Sequence, residues 1–325
     1  MAYFTSKPAR WTARGLGLGF AFTMATTAMA FTAGLSAKAF AAPKVVASIK
    51  PVHSIVATVM EGVATPELII SGSGSPHTYT LRPSQARALS QADLVVWVGP
   101  QLETFLKKPV ETLVSKALVL SDAKAINRLP FREIETAGDG DDHDHDHHDH
   151  EGAFDPHIWL SIDNGIAIAE TVAAELAKLD PTHADTYTAN AQKFSNRMKI
   201  AKIRLKASLV ASKPENYVVF HNAYGYFEND HKMRPAGVIT VNPEIAPGAK
   251  RIAELRKLLR EKSVACVFSE PQYNAAIASA LVSGTDIKVR VLDPLGATLQ
   301  DGPTLYPALV SAVAQSFKDC VDATS

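Results

Sequence analysis

Several features are scarce or missing in this sequence. Past the first 41 residues, no apolar run approaches the roughly 18 residues that a transmembrane helix requires. Lys and Arg are not in excess either: the whole chain has no net charge, and without those 41 residues the charge is −4. The basic face that nucleic-acid binding requires is therefore absent. Neither H-E-x-x-H nor G-x-S-x-G occurs, which removes two common signatures of hydrolytic enzymes.

Cysteine is also scarce, because Cys266 and Cys320 are the two in 325 residues. Neither has a His or Cys nearby at ligand spacing, so the pair is a weak candidate for a metal site. An even number of cysteines in an exported chain favours a disulfide bond, which here joins the start of a predicted strand to the C-terminal helix. Closing a loop of that length stabilises a protein by about 4 kcal/mol in the chain-entropy description.

The first 41 residues have the organisation of an export signal. Lys7, Arg10 and Arg14 form a basic start, residues 15–34 are uncharged and mostly apolar, and Ala39-Phe40-Ala41 supplies the small-x-small pattern of a cleavage site. We predict cleavage after Ala41 and a soluble, monomeric mature protein in the periplasm of a double-membraned bacterium. An uncleaved membrane anchor is the alternative interpretation.

Short β-branched runs alternate with helical patterns, which is typical of parallel α/β units. The predicted strands are Lys44–Ile49, Glu67–Ile70, Leu94–Val98, Ala117–Leu120, Tyr217–Phe220, Ala236–Val241, Ala265–Ser269 and Lys288–Leu292. The predicted helices between them are Ser54–Glu61, Ser84–Gln91, Gln101–Leu113, Ala223–Asn229, Gly248–Lys262, Ala275–Ser283 and Pro303–Val321.

Two long helical patterns, Asn164–Leu179 and Pro181–Leu209, separate these two groups of strands. We therefore predict two Rossmann-like lobes joined by a long rigid helix, with a ligand site in the cleft where the strands end. The predicted division is a signal peptide at 1–41, a first lobe at 42–162 that includes a mobile loop at 138–152, a helical linker at 163–213, and a second lobe at 214–325.

The segment "DGDDHDHDHHDHEG", Asp139 to Gly152, has seven acids, five histidines and no apolar side chain. It cannot bury itself and its charges repel, so we predict a mobile loop. Dense imidazoles and carboxylates bind Zn²⁺, Cu²⁺ or Ni²⁺, but interchangeable ligands define no single geometry. We interpret the segment as an accessory loop that collects or senses metal, a plain solvated acidic loop being the alternative. Its histidines are His143, His145, His147, His148 and His150.

Three of the other histidines lie at strand ends or turns. His77 follows a predicted strand and the turn "SGSGSP", His157 lies in "FDPHIWLS", and His221 ends the strand "YVVF". Two facing lobes could bring such positions together, although their wide separation in sequence proves nothing alone. For the rest we predict a capping or surface role at His53 and surface positions at His183 and His231.

The chain resembles the periplasmic zinc-binding components of ABC importers, the ZnuA type within the metal-binding class of solute-binding proteins. The resemblance runs from about Val45 to Cys320 and rests on "ADLVVWVGP", "HTYTLRPS", "HIWLS", "VFHNAYGYF", "VNPEIAPGA", "CVFSEPQ" and "LDPLG" in this order. It implies Zn²⁺ as the transported ligand, a membrane permease with a cytoplasmic ATPase as the partner, and a disulfide between the two cysteines. It also implies that the metal ligands are His77, His157 and His221.

Three neutral imidazoles suit a tetrahedral zinc ion and leave its fourth coordination position open. Relatives that take manganese resemble this class but have a carboxylate where His221 stands, and oxygen-rich ligand sets suit Mn²⁺ better. The fourth ligand is either Asp293, in "LDPLG", or water, since Pro76 stands where many zinc-type relatives have a Glu. Glu270, in "FSEPQ", is interpreted as orienting a histidine.

A high-affinity zinc carrier that is not an enzyme is therefore the predicted function. Three histidines with an open position also occur in zinc hydrolases, which is one alternative. The others are a manganese or other divalent-metal carrier of the same class, and a metal buffer in which the acidic loop does the binding.

Overall fold

A computed structural model describes residues 41–132, 154–212, 216–240 and 242–322. Most of the predicted export signal and the whole acidic histidine segment lie outside these residues. Within the described ranges, no helix is both long enough and apolar enough to cross a membrane. The predicted α/β class is confirmed, because the chain forms two four-stranded sheets in which every pairing is parallel.

The first lobe is built on a sheet in the order β2-β1-β3-β4. Its strands are β1 (Val45–Ile49), β2 (Glu67–Ile70), β3 (Leu94–Trp97) and β4 (Ala117–Val119). Its helices are α1 (Lys50–Val59), α2 (Pro83–Gln91) and α3 (Lys107–Leu113). Every residue of β1 and β3 is buried. A parallel sheet is covered on both faces, so its inner strands are almost continuously apolar.

The second lobe repeats this order as β6-β5-β7-β8. Its strands are β5 (Tyr217–His221), β6 (Gly237–Thr240), β7 (Cys266–Ser269) and β8 (Lys288–Val291). Two long helices, α4 (Ile162–Leu179) and α5 (Ala184–Ser212), come before it in the chain. The helices that follow are α6 (Gly225–His231), α7 (Ala249–Glu261), α8 (Ala276–Val282) and α9 (Leu305–Asp322).

The connecting helix α5 has 29 residues, so it is about 44 Å long at 1.5 Å per residue. It starts at Ala184, because the predicted first turn from Pro181 to His183 forms a 3₁₀ helix instead. Apolar residues of α5 such as Tyr187, Phe194 and Met198 are buried in a core shared with both lobes. The long predicted connector is therefore present, and it is packed along its length.

The C-terminal helix α9 returns to the first lobe. The backbone N–H of Tyr306 donates to Ser54 Oγ of α1 at 2.9 Å, and Thr58 Oγ1 donates to the carbonyl of Pro303 at 3.1 Å. Because α1 and α9 share these buried contacts, the two lobes meet over a continuous apolar core. The division of the chain at residues 162 and 213 stays a prediction.

The disulfide between Cys266 and Cys320 is present, as predicted, with a Cα–Cα distance of 5.6 Å. Both residues are buried, and they join β7, one strand from β5 in the second sheet, to the last helix. The bond therefore fixes α9 against the sheet from which His221 extends.

Two predictions about histidines are wrong. His53 lies inside α1 and is 6% exposed, with Nε2 3.1 Å from the carbonyl oxygen of Pro66. His231 is 8% exposed, and its ring lies 4.5 Å from that of Phe227, one helical turn earlier. Burial lowers the pKa of His231 to about 4, with Lys202 and Lys206 as further causes. His231 has charged neighbours in the sequence, but the packing of α6 against α5 decides which face of α6 is buried.

Candidate metal centre

Three loops or strand ends meet between the lobes. His77 lies in the loop after β2, His157 stands just before the short 3₁₀ turn Ile158–Leu160, and His221 is the last residue of β5. β2 and β5 are parallel strands of the two sheets, and ligand sites of such sheets lie beyond the carboxyl ends of the strands. The structure thus brings together three side chains that are 80 and 64 residues apart in the sequence.

The three imidazoles form one compact group. Their ring centroids are 5.5 Å apart for His77 and His157, 5.7 Å for His77 and His221, and 5.2 Å for His157 and His221. One nitrogen from each ring can be chosen so that all three lie within 4.8 Å of one another. Among the described residues, no other set of three or more His, Cys, Asp or Glu side chains meets this condition.

Two of the histidines have a carboxylate on Nδ1. Asp155 Oδ1 lies 2.7 Å from Nδ1 of His157, and Glu270 Oε1 lies 2.8 Å from Nδ1 of His221. A carboxylate accepts the Nδ1–H proton, so it fixes the tautomer and leaves the Nε2 lone pair free for a metal. Both acids are buried, at 3% and 2% exposure, so they hold their rings in a site with little water.

The two Nε2 atoms of His157 and His221 are 3.3 Å apart. Because both Nδ1–H groups donate hydrogen bonds to carboxylates, the neutral rings have no proton on Nε2, and neither Nε2 can donate to the other. Two nitrogens bound at about 2.0–2.1 Å to one tetrahedral ion are about 3.3–3.4 Å apart. The spacing therefore equals one edge of a tetrahedral zinc site, and a cation between the two lone pairs removes their repulsion.

His77 differs from the other two, because it is only partly buried and neither ring nitrogen has a carboxylate partner among the described residues. Its backbone N–H donates to Ser75 Oγ at 3.2 Å. Burial, with the neighbouring His157 and His221 as further causes, lowers the pKa of His77 to about 2. The imidazole is therefore neutral at physiological pH, which is the state that binds a metal.

The structure does not bring Asp293 into this group. Its Oδ1 accepts hydrogen bonds from Gln272 Nε2 at 2.9 Å and from the backbone N–H groups of Leu295 and Gly296 at 3.0 Å. Its Oδ2 accepts from the N–H of Ala297 at 2.6 Å. The carboxylate thus holds the turn after β8, and four donors compete with any metal for its oxygens.

A cavity of about 10 Å³ is lined by the three rings. Its wall includes Pro76, Trp159, Glu270, Gln272 and Tyr273. Within the described part of the chain, Gln272 Oε1 and Glu270 Oε2 are buried and have no hydrogen-bond partner. Buried acceptors without donors are rare, so we expect a bound group to donate hydrogen bonds to these two oxygens.

Sequence reasoning missed three contributors to the site. No role is predicted for Asp155 from the sequence, although an acid two residues before a candidate ligand is a signal that could have revealed it. No sequence pattern marks Gln272 as part of the site. Tyr273 Oη lies 3.0 Å from Ser75 Oγ, so a hydrogen bond joins the two loops across the cleft.

The five histidines predicted as accessory ligands, from His143 to His150, lie outside the described residues. The described residues on either side of that region contact each other: Pro130 and Phe154 form an antiparallel bridge, and the N–H of Asp155 donates to the carbonyl of Leu129 at 2.9 Å. Tyr226 Oη donates to the carbonyl of Asp155 at 2.8 Å. The described residues that flank the acidic segment in the sequence therefore lie near His157.

Comparison with known proteins agrees with this arrangement. The family described as zinc-uptake complex component A, periplasmic, matches residues 45–320. The high-affinity zinc uptake system protein ZnuA of Brucella abortus (strain 2308) is 42% identical over 323 residues, covering 90% of this chain and 97% of that protein. The protein of the same name from Yersinia pestis is 36% identical over 292 residues, covering 86% and 92%.

Solved structures show the same architecture. A crystal structure of ZnuA superposes with a TM-score of 0.72 at 26% identity, covering 86% of this chain and 98% of the other. A ZnuA variant with an internal deletion, with zinc bound, gives a TM-score of 0.70 at 25% identity and the same coverage. A laminin-binding adhesin from Streptococcus agalactiae shares the fold, with a TM-score of 0.71 at 22% identity over 86% of this chain and 99% of the other.

Fold and site together define a two-lobed α/β binding protein with its ligand cavity at the junction of the lobes. Within that class the match extends over nearly the whole described chain. The chain belongs to the zinc-uptake complex component A (ZnuA) family.

Proposed function

We propose that this protein is the periplasmic zinc-binding component of an ABC-type importer, which captures Zn²⁺ and delivers it to a membrane permease. Support comes from the family match over residues 45–320 and from relatives named as high-affinity zinc uptake proteins. The proposed ligands are His77, His157 and His221. Zn²⁺ is the cargo, and we assign no catalytic step to the site.

The observation that supports zinc most directly is the 3.3 Å distance between Nε2 of His157 and Nε2 of His221. A tetrahedral ion with nitrogen ligands accounts for that distance and for the two carboxylates on Nδ1. A set of three imidazoles without a carboxylate also favours Zn²⁺ over Mn²⁺, which prefers oxygen ligands. A manganese carrier of the same class is therefore the less favoured alternative.

Water is the proposed fourth ligand. The oxygens of Asp293 already accept four hydrogen bonds, whereas Gln272 and Glu270 line the cavity and each has a buried side-chain oxygen without a hydrogen-bond partner. A zinc-bound water has two protons to donate, and a buried acceptor gains about 1–3 kcal/mol when it is satisfied. The hydrogen bond from Gln272 Nε2 to Asp293 Oδ1 favours the amide orientation that leaves Oε1 as the free acceptor.

The acidic histidine segment is proposed as an accessory that raises the local concentration of metal. The position of the flanking residues Pro130 and Phe154 near His157 supports that role, because the segment is joined to the fold close to a proposed ligand. The proposal predicts that the segment is dispensable for tight binding. A metal buffer predicts the opposite, since most of its capacity would reside in the segment.

A competition titration with a zinc chelator tests the proposed function. The mature protein should bind one tight equivalent of zinc, and a variant lacking residues 138–152 should retain it. His183→Ala is a matched control, because His183 is a histidine with a carboxylate partner outside the site. Loss of the tight equivalent on deletion of the segment, with retention in His221→Ala, would falsify the proposal.

A further inference from the structure

A stripe of aliphatic side chains lies on the outer face of α5. Ile200, Ile203 and Val210 are 53%, 71% and 60% exposed, and the exposed Ala207 lies between the last two. Spacings of three, four and three residues put all four on one face of a helix, over an axial length of about 15 Å. Exposed aliphatic residues scattered singly need no explanation, but a continuous stripe marks a contact surface.

Cations flank the stripe on both sides. At 100° per residue, Arg197 and Arg204 lie on one side of it, and Lys199 and Lys206 lie on the other. All four are exposed, and none forms an ion pair with any residue that the structure describes. No acid occurs in α5 after Asp185, so the positive potential along this face is not compensated within the helix.

We propose that this face of α5 docks onto an anionic lipid surface. Helices that lie in the membrane interface have an apolar stripe that enters the boundary between headgroups and acyl chains, with Lys and Arg beside it that reach the phosphates. Ile200, Ile203 and Val210 supply the stripe here, and the four flanking cations supply the electrostatic attraction, with long side chains that can extend to the headgroup level.

The composition of the stripe favours lipid over a protein partner. Protein interfaces concentrate aromatic side chains in well-packed pockets, whereas the stripe is aliphatic and one helix wide. An open groove of about 560 Å³ follows one edge of it, between α5 and Ser311 of α9. Such a groove can accept an acyl chain, and its wall includes Ile200, Ala201 and Leu205.

The surface is separate from the metal centre, because no residue of α5 lines the cavity between the histidines. Docking by α5 would keep the protein on a membrane surface and leave the metal site unobstructed. Its value for zinc uptake rests on the proposed function, since it would hold the carrier on the membrane that contains the permease. The lipid contact itself does not depend on zinc.

Vesicle sedimentation with the mature protein tests the proposal. We expect binding to vesicles of phosphatidylethanolamine with phosphatidylglycerol, and little binding to phosphatidylcholine. Replacing two cations, as Arg204→Gln with Lys206→Gln, should lower the partition coefficient about 25-fold, at about fivefold for each cation. The triple change Ile200→Ser, Ile203→Ser and Val210→Ser should abolish binding. These side chains are exposed, so the fold should tolerate the changes.

Matched controls lie elsewhere on the surface. Ile245→Ser removes an apolar side chain that is 65% exposed, and Arg260→Gln with Lys262→Gln removes two exposed cations near the end of α7. Both controls should bind vesicles like the unaltered protein. Circular dichroism and zinc titration of every variant separate a damaged fold, or a failure of the proposed function, from a lost lipid contact.

Three results would overturn the lipid proposal. The unaltered protein could fail to bind anionic vesicles, or the α5 variants could bind them with the same partition coefficient as the unaltered protein. Sedimentation velocity could instead reveal a dimer that the Ile203→Ser change dissociates, which would assign the stripe to a second copy of the chain. Binding to purified permease in neutral detergent that only the α5 variants lose would assign it to a protein.

Discussion

The candidate metal centre has two halves that differ: a fixed half, formed by His157 and His221, and a loop half, formed by His77. His157 and His221 are buried, and each has an acid that fixes its tautomer. His77 stands on a loop of the first lobe, is only partly buried, and has no acid on its ring among the described residues. Two of the three proposed ligands are therefore oriented before any metal binds, and the third is held mainly by its loop.

From this difference we expect His157 and His221 to contribute more to zinc affinity than His77. Side chains held by buried hydrogen bonds lose little conformational entropy when they bind, so they form the stronger part of a site. The loop of His77 is tied to the second lobe by the hydrogen bond between Ser75 and Tyr273. A loop with few such restraints can move to admit or release an ion while the other two ligands stay in place.

The largest expected effect is the loss of a ligand from the fixed half. His221→Ala and His157→Ala should each weaken zinc binding by more than about 100-fold, above the range for losing a ligand's hydrogen-bond partner. His77→Ala should weaken binding less, since the other two imidazoles stay oriented. Competition titration of the three variants measures the order. Equal losses in all three would show that the two halves do not differ in the way described.

Removing an acid from the fixed half should have the next largest effect. Glu270→Gln and Asp155→Asn should each lower zinc affinity about 10- to 100-fold, because an amide no longer fixes the proton on Nδ1. Asp180→Asn is the matched control, since Asp180 Oδ2 lies 2.6 Å from Nδ1 of His183 outside the site. If this control lowered affinity as much as the two site variants, a general loss of stability would be the cause.

Changes near the fourth coordination position should affect zinc affinity less, and they should distinguish the role of Gln272 from that of Asp293. Gln272→Leu should lower zinc affinity about 5- to 10-fold by removing the acceptor for a metal-bound water, a net contribution of about 1 kcal/mol. Asp293→Asn should leave zinc affinity nearly unchanged while lowering the melting temperature, because the turn after β8 loses its charged acceptor. A large loss of affinity in Asp293→Asn would instead return Asp293 to the ligand set.

The fold could be predicted from the sequence because its signals are local. Runs such as "VVASI" and "LVVW" predict buried parallel strands without knowledge of their neighbours. The disulfide followed from an even cysteine count, and it is present. The family resemblance, rather than periodicity, singled out His77, His157 and His221 as one set.

What the sequence could not provide depends on packing between distant segments. His231 has charged neighbours in the chain, yet α6 turns it against Phe227 and buries it. Asp293 follows a strand, as a metal ligand could. Its oxygens accept hydrogen bonds from backbone N–H groups of the following turn, and the sequence does not reveal these bonds. The unpartnered Oε1 of Gln272 is likewise defined only by what surrounds it.

The smallest expected effect concerns protons. Because the folded-state pKa of His77 is about 2, against an ordinary value of 6.5, this imidazole holds no proton between about pH 5.5 and 7.5. Zinc then displaces none from it, and His77→Ala should lower affinity by the same factor at each pH. Plots of log Kd against pH for this variant and the unaltered protein should be parallel. A slope that differs by about one proton would mean that His77 is protonated before metal binds, and that its half of the site is open to water.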